Sequence, residues 1–261
     1  RLMKVPVTGF TSPPQTIEAQ ANRQKIEIKN ATVDRLDYNF PMLEKLVLTD
    51  SVIDGEADDQ IFITKDCAAL KHIDLSGTDI SHNGADNNIS YDLTNLEYLD
   101  VSKTGIKNVN IAYYSKLKYF YAANNGLDKI IGARGEHDKT LADKCPELVE
   151  VDISDNYYIS QFDLGAHQNI RKLNISNNDF VNLSLNNLPS LKELYAGYND
   201  DLQALYLMNN PALEKLDLIC TGTEDFAIAM DDSGLPGLKY LDISYTDIVV
   251  NTNTAAFWAK M

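Results

Sequence analysis

The sequence contains few of the residues that would indicate a disulfide framework, a nucleic-acid interface or a membrane span. Its 261 residues include only three cysteines, a number too small and too odd for a disulfide scaffold. Basic residues are also scarce, since 23 Lys and Arg stand against 38 Asp and Glu and give a net charge of −15. This charge repels phosphate backbones and anionic lipid surfaces, and no apolar run approaches the roughly 18 residues of a membrane-spanning helix. We therefore expect no nucleic-acid partner and no direct membrane insertion.

Motifs for catalysis and cofactor binding are missing as well. The sequence has no GxSxG, HExxH, GxxxxGK[ST] or CxxC motif, so none of the common nucleophile, zinc, phosphate or redox sites is indicated. The four histidines are scattered along the chain, and Cys220 has no His and Asp neighbours that would mark a nucleophile. We expect no enzymatic activity, no cofactor and no resident metal ion.

What the chain does contain is one motif written many times. LKHIDLSGTDI at 70–80 is followed by LEYLDVSKTGI at 96–106 and LKYLDISYTDI at 238–248. Aligned on L-x-x-L-x-L-x-x-(N/T)-x-(L/I), the copies begin at Leu43, Leu70, Leu96, Leu117, Leu148, Ile170, Leu191, Leu213 and Leu238, with spacings between 21 and 31 residues. A degenerate earlier copy begins at Arg23. Self-similarity at such a period predicts a solenoid of about ten turns.

This motif resembles that of the leucine-rich repeat family over residues 23–248. The resemblance implies an α/β solenoid: a right-handed superhelix with a parallel β-sheet on the concave face and a convex side made mostly of extended segments or short helices. The residues agree, because motif positions one, four and six are apolar and the L-x-L pair has the period of a strand. Periods near 21 or 22 residues resemble the short bacterial class, and we expect a bacterial source.

The ninth motif position predicts how the turns are held together. It is occupied by Asn125, Asn156, Asn178 and Asn199 in the middle of the chain and elsewhere by Ser51, Thr78, Thr104, Thr221 and Thr246. At this corner the backbone leaves its strand, so buried N–H and C=O groups need partners. A stacked column of short polar side chains can supply them. We expect these residues to form a structural ladder.

The segments between the strands divide into two predicted kinds. Alternating apolar and polar residues predict short extended segments at 107–111, 160–164, 181–185 and 203–207. Three longer repeats predict short convex helices capped by Asp or Thr at 61–70, 138–148 and 224–235. The charged insertion at 132–139 is expected to be a surface loop.

The chain divides into three predicted parts. Residues 1–22 form an N-terminal linker or cap, residues 23–248 the solenoid, and residues 249–261 a C-terminal cap, which Phe257 and Trp258 could fold over the last turn. Because the chain begins at Arg1, we expect that a preceding segment was removed. Cys67 and Cys145 each precede a repeat by three residues, which predicts packing into a turn rather than a disulfide.

The fifth motif position forms an acidic column on the predicted concave face. It holds Val47, Asp74, Asp100, Tyr121, Asp152, Asn174, Tyr195, Asp217 and Asp242. Adjacent strands lie about 4.8 Å apart, so Asp74 beside Asp100 and Asp217 beside Asp242 would repel each other unless a cation compensates. Calcium is one candidate, and Lys71 or Lys239 reaching over the column is the other.

Tyrosines cluster on the same predicted face. Since tyrosine combines a large contact area with a polar tip and low entropy cost, clusters of it are typical of binding surfaces, although tyrosine also suits strands in general. Polar residues lie between the tyrosine groups. The predicted ligand-binding residues are Tyr98, Tyr119, Tyr121, Asp152, Asn174, Tyr195, Tyr198, Tyr240 and Tyr245.

These features favour a non-enzymatic binding module. The resemblance implies a secreted or surface-displayed bacterial protein that recognises a protein partner through its concave face, with lipid attachment through a removed N-terminal segment as one route to the surface. Two alternatives stay open. Aromatic rings beside Asp and Asn would also suit a carbohydrate-binding module of a surface glycan system, and a repeat array can serve as a structural spacer in a larger surface protein.

Overall fold

Two compact units divide the chain, Arg1–Ile131 and Gly132–Met261. The computed structural model describes residues 3–4, 22–33, 40–53, 67–80, 93–131, 140–222 and 227–246. The predicted C-terminal cap, most of the N-terminal linker and the 132–139 insertion lie outside the described residues. None of the described residues belongs to a helix long and apolar enough to cross a membrane.

The first unit is organised around a parallel sheet with one strand per repeat. Its strands are β2 (Lys25–Lys29), β4 (Lys45–Thr49), β6 (His72–Asp74), β7 (Tyr98–Asp100) and β9 (Tyr119–Tyr121). Equivalent motif positions are in register, so Leu46 pairs with Ile73, which pairs with Leu99. Successive repeats therefore stack side by side, with equivalent motif positions directly opposite one another.

Two smaller parallel sheets join the other halves of these repeats in the first unit. One contains β1 (Met3–Lys4), β3 (Ala31–Val33) and β5 (Val52–Ile53), and the other contains β8 (Asn108–Asn110) and β10 (Lys129–Ile131). The extended segment predicted at 107–111 is confirmed by β8.

The second unit repeats the same arrangement. Its main parallel sheet contains β11 (Glu150–Asp152), β12 (Lys172–Asn174), β14 (Glu193–Tyr195), β16 (Lys215–Asp217) and β18 (Tyr240–Asp242). Its second sheet contains β13 (Asn182–Ser184), β15 (Ala204–Tyr206) and β17 (Ala227–Ala229). The extended segments predicted at 181–185 and 203–207 are confirmed.

The core of each unit lies between its main sheet and the second halves of the repeats. Motif positions one, four and six are buried, as in Leu70, Ile73 and Leu75, which are all 0% exposed. Only the outermost described copies are looser, since Ile26 and Leu241 are half-buried. Apolar residues are thus buried at the same motif positions in successive turns, which confirms the predicted parallel-sheet solenoid.

One predicted helix is present, and it changes the segment beside it. Helix α1 (Leu141–Lys144) follows Thr140, whose backbone N–H donates to Asp143 Oδ2 at 2.9 Å. This confirms the helix predicted at 138–148. The extended segment predicted at 160–164 is not a strand, because its neighbour is this helix: the N–H of Leu141 donates to the carbonyl of Asp163 at 3.2 Å. A helix N-terminus offers no continuous strand edge for pairing.

The helix predicted at 224–235 is wrong for the residues the structure describes. Residues 227–229 form β17 and pair with β15, and residues 230–235 contain no helix. Ile228 is 6% exposed and lies beside Leu205 in register, so extending an existing sheet buries it without a helix. For the helix predicted at 61–70, residues 61–66 lie outside the described residues, and residues 67–70 are not helical.

The ninth-position side chains bond to the backbone of their own turn, of the preceding turn or of both. Asn125 Nδ2 donates to the carbonyl of Val101 at 2.9 Å, and its Oδ1 accepts the N–H of Thr104 at 2.7 Å. Asn199 Nδ2 bonds the carbonyls of Ile175 and Ala196 at 3.1 and 2.8 Å. Where a threonine stands instead, one hydroxyl makes fewer bonds, as with Thr78 Oγ1 to Leu48 O at 2.6 Å.

A second set of buried polar side chains links turns on the far side of the second unit. Asn210 is 1% exposed, and its Nδ2 donates to the carbonyl of Leu185 at 2.8 Å. His167 is 0% exposed; its Nε2 lies 3.0 Å from the carbonyl of Cys145, and its Nδ1 accepts the N–H of Asn169 at 3.3 Å. A carbonyl can only accept, so Nε2 carries the proton and the ring is neutral. Burial lowers the pKa of His167.

Neither Cys67 nor Cys145 forms a disulfide, and both are buried, 1% and 0% exposed. This confirms their predicted packing into the turns. Burial raises the pKa of Cys145 to about 12, so its thiol is protonated at neutral pH and unsuited to nucleophilic or ligand chemistry.

We predict that Asn178→Leu lowers the free energy of unfolding by about 2–4 kcal/mol. Asn178 Nδ2 donates to the carbonyls of Ile153, Ile175 and Ser176 at 3.0, 3.0 and 3.2 Å. Leucine would leave buried carbonyls without donors. Urea unfolding followed by circular dichroism measures the change, with Asn182→Leu, an exposed position of the same repeat, as the matched control. Equal midpoints for the two variants would contradict the ladder.

A pH-dependent stability is expected from His167. Because its folded pKa lies below the ordinary value of 6.5, the unfolded chain takes up a proton first. The stabilisation is therefore complete above about pH 6.5 and is lost as the pH falls from there towards the folded pKa. His167→Gln should unfold more easily at pH 8 and lose less stability than the wild type between pH 7.5 and 5.5. Identical pH slopes in the two proteins would show that His167 does not titrate on unfolding.

Candidate functional site

The residues available for binding are the outward-facing side chains of the two main sheets. Each three-residue strand buries its middle side chain and turns its first and third outward, as His72, Ile73 and Asp74 do. We call the outward side chains of β2, β4, β6, β7 and β9 the first strand face, and those of β11, β12, β14, β16 and β18 the second strand face.

The first strand face carries an aromatic cluster. The rings of His72 and Tyr98 are stacked, with centroids 4.1 Å apart and an interplanar angle of 10°. Tyr119 and Tyr121 lie against the same tyrosine, with centroids 6.2 and 5.5 Å from that of Tyr98. Strand register brings them together, because His72, Tyr98 and Tyr119 are successive partners. Three of the predicted binding residues therefore form one half-buried surface.

Carboxylates and the Lys45 ammonium lie around this cluster. Burial, and after it the carboxylates of Asp100 and Asp74, raise the pKa of Tyr98 to about 12. Burial and then the Lys45 ammonium lower the pKa of His72, while the Asp74 and Glu27 carboxylates oppose that shift. At neutral pH the His72 and Tyr98 rings are therefore uncharged beside carboxylates.

The fifth-position acids have a local role in the fold. Asp74 Oδ1 accepts the N–H and the hydroxyl of Ser76 at 3.0 and 2.7 Å, and Asp152 Oδ1 accepts the same pair from Ser154. Asn174 makes these contacts with Ser176 at 3.2 and 2.8 Å. Each side chain closes the turn two residues after it. In Asp74 and Asp152 this leaves the second carboxylate oxygen for a neighbour or a ligand, and in Asn174 it leaves the Nδ2 group, which donates to Asp152 Oδ2.

Neither predicted lysine covers the acidic column. Lys71 pairs with Glu44 at 3.2 Å and Lys239 pairs with Glu214 at 2.8 Å, both in the row of residues that precedes the strands. Within the part of the chain that the structure describes, no group of three or more His, Cys, Asp and Glu is arranged to hold a metal ion.

The second strand face holds a lysine between two tyrosines. Lys215 Nζ lies 4.4 Å from the ring centroid of Tyr195 and 4.8 Å from that of Tyr240, a cation–π arrangement. The hydroxyl of Tyr195 donates to Glu193 Oε2 at 2.9 Å. A hydrogen bond to Tyr195 raises the pKa of Lys215, so the ammonium persists at neutral pH. Beside it, Asn174 Nδ2 donates to Asp152 Oδ2 at 3.1 Å.

Tyr198 and Tyr245 lie at corners and not on strands. They occupy the eighth motif position, which has positive φ in each of the repeats: Asn30, Asp50, Gly77, Lys103, Asn124, Asp155, Asn177, Tyr198, Cys220 and Tyr245, with φ between 51° and 70°. Gly, Asn and Asp tolerate this left-handed conformation, but a bulky side chain is strained there. Tyr198 is nevertheless 50% exposed and Tyr245 86% exposed, so burial does not explain either tyrosine.

His72 and Lys215 take part in these clusters but are not among the predicted binding residues. His72 stands on a predicted strand position, but its stacking on Tyr98 depends on ring orientation. Lys215 could have been found from the alignment, because it is the register partner of Tyr240 on one side and of Glu193, two residues before Tyr195, on the other.

Comparisons with known proteins add the following. No protein-family model and no curated protein matches the chain. Among solved structures, it is similar to the functional domain of InlJ from Listeria monocytogenes, described as including a cysteine ladder, with a TM-score of 0.40 and 12% identity over 92% of this chain and 67% of that one. It is also similar to an internalin, InlF, from the same organism, with a TM-score of 0.32 and 17% identity over 89% and 87% of the two chains. The fold assignment rests on the strands, burial and ladder bonds described above.

We predict that Tyr198→Asn and Tyr245→Asn leave the thermal unfolding midpoint unchanged or raise it. Asparagine accepts positive φ with less strain than tyrosine, and neither tyrosine is buried. Tyr114→Asn, at a 0% exposed position, is the matched control and should unfold at a much lower temperature. A comparable loss in a corner variant would mean that the corner tyrosine serves folding.

Proposed function

We propose that this chain is a non-enzymatic leucine-rich repeat protein, secreted or displayed on a bacterial surface, that recognises a protein partner through its strand faces and the corners that follow the strands. The periodic motif, the one strand per repeat and the ninth-position bonds support the family. The localisation and the bacterial source follow from the resemblance of the repeat.

The observation that carries the proposal is the placement of tyrosines where folding does not require them. Tyr198 and Tyr245 are exposed at strained corners, and Tyr240 is 47% exposed on an outward strand position. A solvated aromatic ring contributes little to stability, but it gives a partner a rigid contact with a polar tip. Selection for contact explains these positions better than selection for stability.

The polar side chains between the rings suit a protein surface. Backbone amides and side chains of a partner need both donors and acceptors. Both strand faces offer carboxylate, phenol and ammonium groups, and the second also offers the amide of Asn174. A net charge of −15 favours a partner with a basic surface, because opposite charges speed association.

Carbohydrate binding is the second candidate, and one contact favours it. Asp152 and Asn174 are bonded to each other, and Asn174 pairs in register with Tyr195. A carboxylate and an amide beside an aromatic ring can bond sugar hydroxyls while the ring stacks on the sugar face.

The test presents the purified chain to arrays of bacterial and host surface proteins and, in parallel, to a glycan array. Tyr121→Ala and Tyr195→Ala are examined singly and together, and Tyr157→Ala with Tyr158→Ala is the matched control, since those tyrosines are 60% and 63% exposed but lie outside the strand faces. Loss of a central aromatic contact weakens binding about tenfold or more.

We expect selective binding to a surface protein that the strand-face variants lose and the control variant keeps. Unfolding midpoints of all variants check that they are folded. Selective glycan binding lost in the same variants would establish the carbohydrate function instead. Binding unaffected by the strand-face variants would refute both.

A further inference from the structure

Two carboxylates on the second strand face lie side by side near exposed tyrosines. Asp217 on β16 and Asp242 on β18 are register partners, so their backbones are about 4.8 Å apart. The hydroxyl of Tyr240 donates to Asp242 Oδ2 at 3.3 Å. Tyr198, from the corner after β14, donates its N–H to the carbonyl of Ile219 at 2.8 Å. We call Tyr198, Asp217, Tyr240 and Asp242 the Asp217 surface.

The backbone places Tyr198 at the edge of this surface, because the carbonyl that its N–H bonds belongs to Ile219, two residues after Asp217. The pKa of Tyr198 is raised chiefly by Cys220 at the next corner, with smaller contributions from the Asp217 and Asp242 carboxylates, in agreement with that placement.

The acids are not neutralised within the fold. Asp217 Oδ1 accepts the N–H of Ile219 at 3.3 Å and Asp242 Oδ1 accepts that of Ser244 at 2.9 Å, while among the described residues neither carboxylate has an ion pair and Asp217 Oδ2 accepts no hydrogen bond. Lys239 is engaged by Glu214. Lys215 lies between two rings, and among the described residues it forms no ion pair with either carboxylate.

On the second strand face, two tyrosine rings already contact a cation. Lys215 places an ammonium between Tyr195 and Tyr240, within 5 Å of both centroids. Tyr195 and Tyr240 are thus placed to contact a cation, and Tyr240 and the corner residue Tyr198 remain about half exposed.

Building on the protein-recognition function proposed above, we propose that the Asp217 surface binds an arginine side chain of the partner. A planar guanidinium can stack on the Tyr198 or Tyr240 ring and at the same time donate paired N–H groups to the Asp217 carboxylate. A lysine ammonium is a point charge that stacks less well and cannot make the paired contact. The carboxylates and the net charge of the chain both complement a guanidinium.

The test uses three peptides of equal length: acetyl-Gly-Arg-Gly-Arg-Gly-amide, its lysine analogue and its neutral citrulline analogue. Binding to the full chain is followed by NMR titration at 0.15 M salt, where long-range attraction is screened. We expect the arginine peptide to bind about fivefold tighter than the lysine peptide and the citrulline peptide to bind least, with shifts at the amides of 217–219 and 242–244.

The deciding variant is Asp217→Asn. Asparagine keeps the bond to the N–H two residues on, because Asn174 makes it at the same motif position, so the fold should survive. Asp179→Asn removes the same charge at an exposed position outside the surface and is the matched control. We expect Asp217→Asn to weaken arginine-peptide binding at least about fivefold and Asp179→Asn to change it less than about twofold.

Two outcomes would overturn the arginine proposal: equal affinity for the arginine and lysine peptides, or equal losses in the two Asp variants, each of which indicates general charge attraction. Failure here together with array binding that depends on Tyr121 and Tyr195 would remove the arginine site and leave protein recognition intact. Arginine-peptide binding without any protein partner on the arrays would retain the site and refute the wider function.

Discussion

The structure depends on satisfying buried backbone groups at the corner where each strand ends. In each repeat the chain bends sharply where its strand ends. The backbone N–H and C=O groups at this buried corner lose their hydrogen bonds to water and need partners within the protein. The ninth-position Asn and Thr side chains supply those partners within a turn and between neighbouring turns. In the middle of the chain the amides of Asn125 and Asn199 both donate and accept, and they join turns more completely than the single hydroxyl of Thr78. Regular corners then place every strand in register with the next.

That regularity separates the residues that fold the chain from those that can bind. Positions one, four, six and nine are occupied by the core and its bonds. The outward strand positions and the corners carry few such demands, so their side chains can vary from lysine to tyrosine with little effect on stability. The fifth position is the exception, because Asp74, Asp152 and Asn174 each close a turn with one oxygen. The acidic column therefore stabilises the turns as well as forming part of the surface. Only the carboxylate oxygens that do not bond within a turn can contact a ligand.

The two strand faces use similar residues differently. On the first, Tyr98 is enclosed by His72, Tyr119 and Tyr121, which makes a half-buried apolar surface beside carboxylates. On the second, Tyr195 and Tyr240 are separated by Lys215, and the neighbouring carboxylates are left with a net negative charge. Ring-to-ring packing favours a contact made through shape, while the open acidic surface favours a contact made through a cation.

The sequence by itself determined the repeat, the parallel strand of each turn, the buried positions and the polar corner column, because these follow from a period that many copies repeat and that no neighbour can override. It could not determine the secondary structure of the segments between strands, because this depends on their neighbours. Residues 160–164 lie beside a helix, which offers no strand edge for pairing, whereas residues 227–229 lie beside β15, which does. Tertiary structure alone decided which side chains meet, such as His72 on Tyr98 and Lys215 between its tyrosines, and placed Tyr198 and Tyr245 at strained corners. Motif alignment assigns a residue to a column, but ring orientation, backbone φ and contacts between adjacent columns arise only when the turns are stacked.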